Sequence, residues 1–173
     1  LSGWGQFPRL QCHLVRPRAD ADVVAAMSNG PVIARGMGRA YGDSALCKNA
    51  TIDMRAFKHM LTFDSLTGEL VVEAGVVLGD IIDVFLPRGW FPPVTPGTKF
   101  VTIGGMIAAD VHGKNHHKHG SFGGFVEWID LLGPDGTVRR CSRSENCMLL
   151  DWTIGGMGLT GIILRAAFRL QPV

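Results

Sequence analysis

Gly155-Gly156-Met157-Gly158-Leu159-Thr160-Gly161, followed by Ile162-Ile163-Leu164-Arg165-Ala166-Ala167-Phe168-Arg169-Leu170, is the stretch on which the fold turns. By letter, Gly156-x-Gly158-x-x-Gly161 satisfies the dinucleotide fingerprint. That fingerprint needs a strand before the glycines and a helix after them, so that a pyrophosphate meets a helix N-terminus. Here the residues from Ile162 to Leu170 pattern as a strand, and the acidic ribose partner expected about 20 residues further on has no place before Val173. A Rossmann unit is therefore not expected.

Working outward, the pattern mixes strands and helices without regular βαβ alternation. Pro17-Arg18-Ala19-Asp20 opens a helix with Val23, Val24 and Met27 on one face, and Asn29-Gly30-Pro31 stops it. A buried strand, Val32 to Ala34, runs into the loop Arg35 to Asp43, and extended chain resumes at Ala50 to Met54. Met60 to Phe63 and Leu70 to Ala74 read as a hairpin. Leu78, Ile81, Ile82, Phe85 and Leu86 recur at helical spacing, with Asp80 and Asp83 early and Gly89 after the end. Pro92, Pro93 and Pro96 force an extended loop, and Met106 to Ala109 form a short helix. A polar loop spans His112 to Gly120. Phe125 to Leu132 and Thr137 to Cys141 make a second hairpin, and a helical turn covers Ser144 to Asp151. The order argues for an α+β domain over a doubly wound sheet.

Composition narrows the function. A chain of 173 residues with 46% apolar content fills one domain or two small lobes sharing a core. A formal net charge of +2 gives no broad cationic face, so nucleic acid is not an expected partner. Cys12, Cys47, Cys141 and Cys147 form no Cys-x-x-Cys pair and read as reduced thiols. No run of about 18 uncharged apolar residues offers a transmembrane segment. The chain starts at Leu1 without a basic-then-apolar leader, compatible with removal of a targeting segment, so compartment is weakly constrained.

Glycine is the outlier, 23 of 173 residues against an average of about 7%. In the loop Arg35 to Asp43, three glycines free backbone N–H groups to turn inward as an anion nest, and Arg35 and Arg39 add charge and forked donors. A structural turn is the alternative. Thr102-Ile103-Gly104-Gly105 puts small residues at the start of a helix, where free N–H groups favour a phosphate, or where close helix packing needs them. The string His112 to His119 carries four of the six histidines. Two lysines inside it, and no cysteine or carboxylate, argue against a metal and leave a solvated loop or a cavity wall.

Taken together, Ala34-Arg-Gly-Met-Gly-Arg-Ala-Tyr-Gly-Asp43, Pro96-Gly-Thr98, Thr102-Ile-Gly-Gly105, His112-Gly-Lys-Asn-His-His117, Gly120-Ser-Phe-Gly123 and Gly155 to Ile162 resemble the FAD-binding (PCMH-type) domain of vanillyl-alcohol-oxidase flavoproteins. The resemblance covers nearly the whole chain. It implies an α+β, two-lobed domain (about 1–58 and about 59–173) with FAD held between the lobes, and a substrate domain absent from this chain. By position it implies cofactor contacts at Ala34, Arg35, Gly36, Met37, Gly38, Arg39, Ala40, Tyr41, Gly42, Asp43, Ser44, Gly97, Thr102, Ile103, Gly104, Gly105, Ala109, Asp110, Val111, His112 and Ile163.

The resemblance further implies an FAD-linked oxidase or dehydrogenase of a sugar CH–OH group. Within the family it is nearest to the branch that oxidises the 2′-hydroxyl of a polyprenylphosphoryl ribose, a cell-wall arabinose precursor, by hydride transfer to flavin N5. Soluble alditol or D-arabinono-1,4-lactone oxidation, or a flavin-binding module without catalysis, are the alternatives. A sugar substrate, lipid-linked in that branch, and a reductase partner follow from it, at a cytoplasmic or periplasmic membrane face. Tyr41 and Lys114 are the candidate catalytic residues. Many relatives that oxidise lactones or alditols bond a loop histidine covalently to the flavin, and this sequence has Arg39 there. Guanidinium is no nucleophile, so the FAD is expected to be non-covalent.

Overall fold

The computed structural model describes residues Leu1–Val173 and puts the strand after Gly161 at the centre of the molecule. In chain order the elements are β1 (Leu14–Val15), α1 (Asp20–Met27), β2 (Val32–Arg35), β3 (Ala50–Asp53), β4 (Met60–Phe63), β5 (Glu69–Glu73), α2 (Leu78–Phe85) and β6 (Trp90–Phe91). They continue with α3 (Ile103–Ala108), α4 (His116–His119), β7 (Val126–Leu132), β8 (Val138–Ser142), α5 (Cys147–Thr153), β9 (Ile162–Arg169) and β10 (Gln171–Pro172). A parallel three-stranded sheet has the order β1-β3-β2, and an antiparallel five-stranded sheet has the order β4-β5-β9-β7-β8. No parallel βαβ ladder follows the glycines at 155–161, so the α+β, non-Rossmann reading holds.

One core lies between the large sheet and its helices. Leu78, Ile81 and Phe85 of α2 and Ile103, Met106 and Ile107 of α3 pack against Leu70, Val72, Ile129, Leu131 and Phe168. Each such side chain, withdrawn from water, contributes about 1.5–3 kcal/mol. A smaller core joins Val23 of α1 and Ile52 of β3 to Leu132, Ile162 and Leu164 of the large sheet. Strand β9 serves both because its ladder with β7 shifts register between Asp130 and Leu131, whose partners are Arg165 and Ile163. The extra residue, Leu164, flips the alternation. Ile163, then Ala166 and Phe168, join the large core, Ile162 and Leu164 join the small one, and Arg165 reaches Asp20 of α1 at 2.8 Å.

Local chemistry explains the boundaries that differ from expectation. The helix expected at 144–151 starts at Cys147, because Ser142 Oγ accepts from the Ser144 and Glu145 N–H groups and Asn146 sits at φ 50°. Within the loop expected at 112–120, one helical turn forms as Lys118 and His119 donate to the Asn115 carbonyl at 2.9 and 3.0 Å. The lead-in is a hairpin: Leu1 and Leu10 exchange backbone bonds of 2.7 and 2.8 Å, and Ser2 bridges Arg9. All four cysteines are free, and no helix is long and apolar enough to cross a membrane.

Candidate functional site

Between the two sheets lies a cleft with a volume of about 170 Å³. One wall is the end of β2 and the glycine loop after it, the second is the outer face of α3 with Val101 and Val111, and the floor is Met54, Ala74 and Ile163. Met157, Gly158 and Gly161 close one side. The lining is dominated by glycine and alanine, so a ligand can approach the backbone closely.

The loop wall is built of unspent donors. From Gly36 to Ser44 no backbone N–H donates to any protein acceptor, in contrast to the elements on either side. Gly38, at the cleft lining, and Gly42, on the exposed outer turn, adopt φ 67° and 58°, left-handed conformations of the kind that anion nests use. The Arg39 Nε atom is buried and has no hydrogen-bond partner, while its Nη1 donates to the Met37 carbonyl at 3.0 Å. A buried donor left unmade costs about 1–3 kcal/mol, which an acceptor in the cleft would recover.

Arg35 plays a different part from the one its charge suggests. Its Nη2 donates to the Ser2 carbonyl at 2.7 Å and its Nη1 to the Ala45 carbonyl at 3.3 Å, so it pins the two ends of the loop. Burial lowers its pKa below the ordinary guanidinium value, with Asp53 pulling the other way. Asp53 is held by Arg55 through bonds of 2.8 and 2.6 Å. Its burial would raise the carboxyl pKa, and the Arg55 hydrogen bonds outweigh that and set it below the usual range.

The facing wall corrects the reading of Thr102–Gly105 as a second phosphate site. The Ile103 N–H donates to the Val76 carbonyl at 2.9 Å, Gly104 to Ala74 at 2.8 Å, and Gly105 to Thr102 Oγ1 at 3.3 Å. None of the Ile103, Gly104 and Gly105 backbone donors is left for an anion. The glycines serve close approach: a Cβ on Gly104 would lie 3.0 Å from Ala74 Cβ, and one on Gly36 would overlap the Thr102 side chain. The two walls thus touch through Gly36 and Thr102.

Of the residues expected from the sequence, the structure brings Ala34, Arg35, Gly36, Met37, Gly38, Arg39, Ala40, Ser44, Thr102, Gly104, Gly105, Ala109, Val111 and Ile163 to the cleft lining. Others stand apart. Tyr41, Gly42 and Asp43 lie on the exposed outer turn of the loop, with Tyr41 74% exposed. Ile103 is buried in the large core, and the Asp110 carboxylate accepts from the Gly123 N–H at 2.9 Å. Gly97, His112 and Lys114 are exposed, and the His112 ring packs edge-on to His116, centroids 5.3 Å apart. No three His, Cys, Asp or Glu side chains are grouped to hold a metal.

The lining residues that sequence reasoning left out are Ala45, Met54, Ala74, Val101, Ala108, Met157, Gly158 and Gly161. Three of them belong to the very fingerprint discounted as a Rossmann motif. Met157 holds φ 54° and its N–H donates to the Ala108 carbonyl at 2.8 Å, so this turn is stitched to α3 as a cleft wall. An unpartnered guanidinium atom and a run of free amides fit a pyrophosphate, and flat walls of small residues fit ring systems. FAD carries both.

Comparison with known proteins agrees. The chain is 41% identical over 180 residues to decaprenylphosphoryl-beta-D-ribose oxidase of Mycolicibacterium smegmatis, an alignment that takes in 99% of this chain and 39% of that protein. L-gulonolactone oxidase of Mus musculus is 28% identical over 86% of this chain and 34% of its own length. The chain therefore spans little more than a third of these relatives. The solved structure of Physcomitrella patens BBE-like 1 superposes with a TM-score of 0.83 at 24% identity, over 92% of this chain and 36% of that one, which shows the shared fold. The family model described as an FAD binding domain matches residues 13–142, from the residue before β1 through the last residue of β8, and on that match the chain belongs to the FAD-binding domain family.

Proposed function

We propose that this chain is the FAD-holding part of an oxidoreductase that oxidises a secondary alcohol of a sugar, the 2′-hydroxyl of a polyprenylphosphoryl ribose, to the ketone. The observation that carries it is the 41% identity across 99% of the chain with decaprenylphosphoryl-beta-D-ribose oxidase, joined to a cleft whose unmade donors suit the cofactor's phosphates. Bound FAD would supply the two-electron acceptor. The amides of Gly36 to Ala40 and of Ser44, with Arg39 Nε, would receive the phosphates, and Thr102, Gly104, Gly105 and Ala109 would form the close wall. Val101, Val111 and Ile163 exclude water.

Turning the alcohol into a ketone also releases the hydroxyl proton, and in this chain Tyr41 is the candidate to polarise that hydroxyl or take the proton. Lys114 is the candidate to orient the substrate or offset negative charge nearby. Both are exposed, so either role requires substrate, or the substrate-recognising domain, to cover them. We place that domain outside these residues and divide this chain near residue 58, the parallel sheet lying before it and the antiparallel sheet after it. Arg39 in place of a flavin-bonding histidine makes the FAD dissociable.

Titration of the chain with FAD should quench flavin fluorescence saturably, and acid precipitation should leave the flavin in the supernatant. Absence of quenching overturns the cofactor reading, and yellow pellets overturn the non-covalent one. The similarity to L-gulonolactone oxidase favours a second reading, oxidation of a soluble aldonolactone or alditol. Flavin bleaching by lipid-linked ribose and not by lactone, in the protein with its downstream domain, decides for the first, and the reverse decides for the second.

A further inference from the structure

The N-terminal hairpin touches the donor loop at four points. The Trp4 N–H donates to the Ala40 carbonyl at 2.8 Å, and the Ser2 carbonyl receives Arg35 Nη2 at 2.7 Å. Gly3 lies so close to the loop that a Cβ there would sit 2.5 Å from the Ala40 oxygen and 2.7 Å from the Gly42 oxygen. The Trp4 ring, more than half exposed, covers the Arg39 guanidinium at 4.9 Å from its centroid. Elsewhere the loop is held by Ser44 Oγ and the Leu46 N–H, which donate to the Tyr41 and Asp43 carbonyls at 2.7 and 2.8 Å, and by Gly36 lying against Thr102; its own amides donate to no protein acceptor, and Arg39 keeps one buried donor free. An anion site made of free donors binds well only if its shape is fixed before the ligand arrives.

We infer that Trp4 is a positioning residue for the cofactor: its ring stacks on Arg39 and holds the guanidinium with Nε turned into the cleft, so that the hairpin 1–10 clamps the loop in its anion-binding form. This rests on the FAD-binding reading and assigns to the hairpin a share of the affinity that no cleft-lining residue provides. An indole face over guanidinium is an attractive pairing because the ring quadrupole faces the cation, and phenylalanine keeps that face while alanine removes it. Arg39 is the group that meets the ligand; Trp4 acts through it.

The test is FAD affinity by fluorescence quenching for the wild type, Trp4→Ala, Trp4→Phe, Arg39→Ala and the double variant Trp4→Ala/Arg39→Ala. Trp4→Ala should raise Kd about three- to fivefold, the size of a partly exposed cation–π contact, and Trp4→Phe should recover most of it. In the Arg39→Ala background, removing Trp4 should add nothing further. An unchanged Kd in Trp4→Ala, equal losses in Trp4→Ala and Trp4→Phe, or full additivity in the double variant each overturn the assignment. A wild type that binds no FAD overturns the cofactor reading instead, and tryptic cleavage after Arg39 in the ligand-free chain then decides the clamp. Faster cleavage in Trp4→Ala, with Trp4→Phe close to wild type, supports it; equal rates overturn it. Matching thermal melts of Trp4→Ala and wild type show that any change is local.

Discussion

The loop from Gly36 to Ser44 and the turn from Thr102 to Gly105 face each other across the same cleft and are built from the same small residues, yet they use glycine for opposite ends. In the loop, Gly38 takes a positive φ at the cleft lining and the amides from Gly36 to Ser44 are left unmade. In the turn, every early amide of α3 is already bonded, and glycine is there so that α3 can lie against Ala74 and Gly36 against Thr102. Composition cannot separate the two cases. What separates them is where the hydrogen bonds go.

Gly36→Ala should do the most damage, because its methyl group meets both the Thr102 hydroxyl and the methyl beside it, on a side chain that is itself buried. We expect a loss of about 1–3 kcal/mol of stability from the forced overlap, and FAD binding weakened more than tenfold, about 1.4 kcal/mol, as the donor loop shifts; a urea melt and a flavin titration read the two. Thr102→Ala should cost about 1 kcal/mol by removing the acceptor of the Gly105 N–H. Because it also clears the space beside Gly36, the double variant should lose less than the sum, with a coupling of at least about 0.5 kcal/mol. Strict additivity would show that the two walls do not meet there.

Gly104→Ala sharpens the contrast. Its Cβ would stand 3.0 Å from Ala74 Cβ and 3.2 Å from the Ala74 oxygen, so we expect about 1 kcal/mol of lost stability with FAD affinity nearly unchanged. A variant that melts like wild type but loses flavin would assign the turn the donor role after all.

The smallest effect is electrostatic. Asp53 pairs in register with Arg35 at the root of the loop, and its Arg55 bonds, overcoming burial, depress its pKa. A depressed carboxyl contributes stability that is fully present above its unfolded value of about 3.9 and is lost as pH falls through the folded one. The urea midpoint should therefore fall on acidification below about pH 5, and Asp53→Asn should flatten that fall while lowering the neutral-pH plateau.

Much of this was legible in the sequence. The two hairpin readings marked β4–β5 and β7–β8, helical spacing at Leu78, Ile81 and Phe85 marked α2, and the strand after Gly161 excluded the Rossmann reading. The loop at 35–43 stood out as a cleft wall because three glycines and two arginines cluster there. Other features depended on distant partners. Arg35 looked like a phosphate ligand until the Ser2 and Ala45 carbonyls claimed it. The amides of Ile103 and Gly104 looked free until the Val76 and Ala74 carbonyls, in the turn after β5, took them. Met157, Gly158 and Gly161 reach the cleft only because Met157 and Gly155 donate to α3, contacts across some 48 residues of chain that no local pattern encodes. The hairpin at 1–10 has no periodicity to announce it.

The register shift at Leu164 has a mechanical consequence. With one strand committed to both hydrophobic cores, the two sheets share a girder and cannot swing apart without shearing close-packed side chains. The cleft between them therefore behaves as a slot of fixed width, and what it admits is decided by thickness before it is decided by charge.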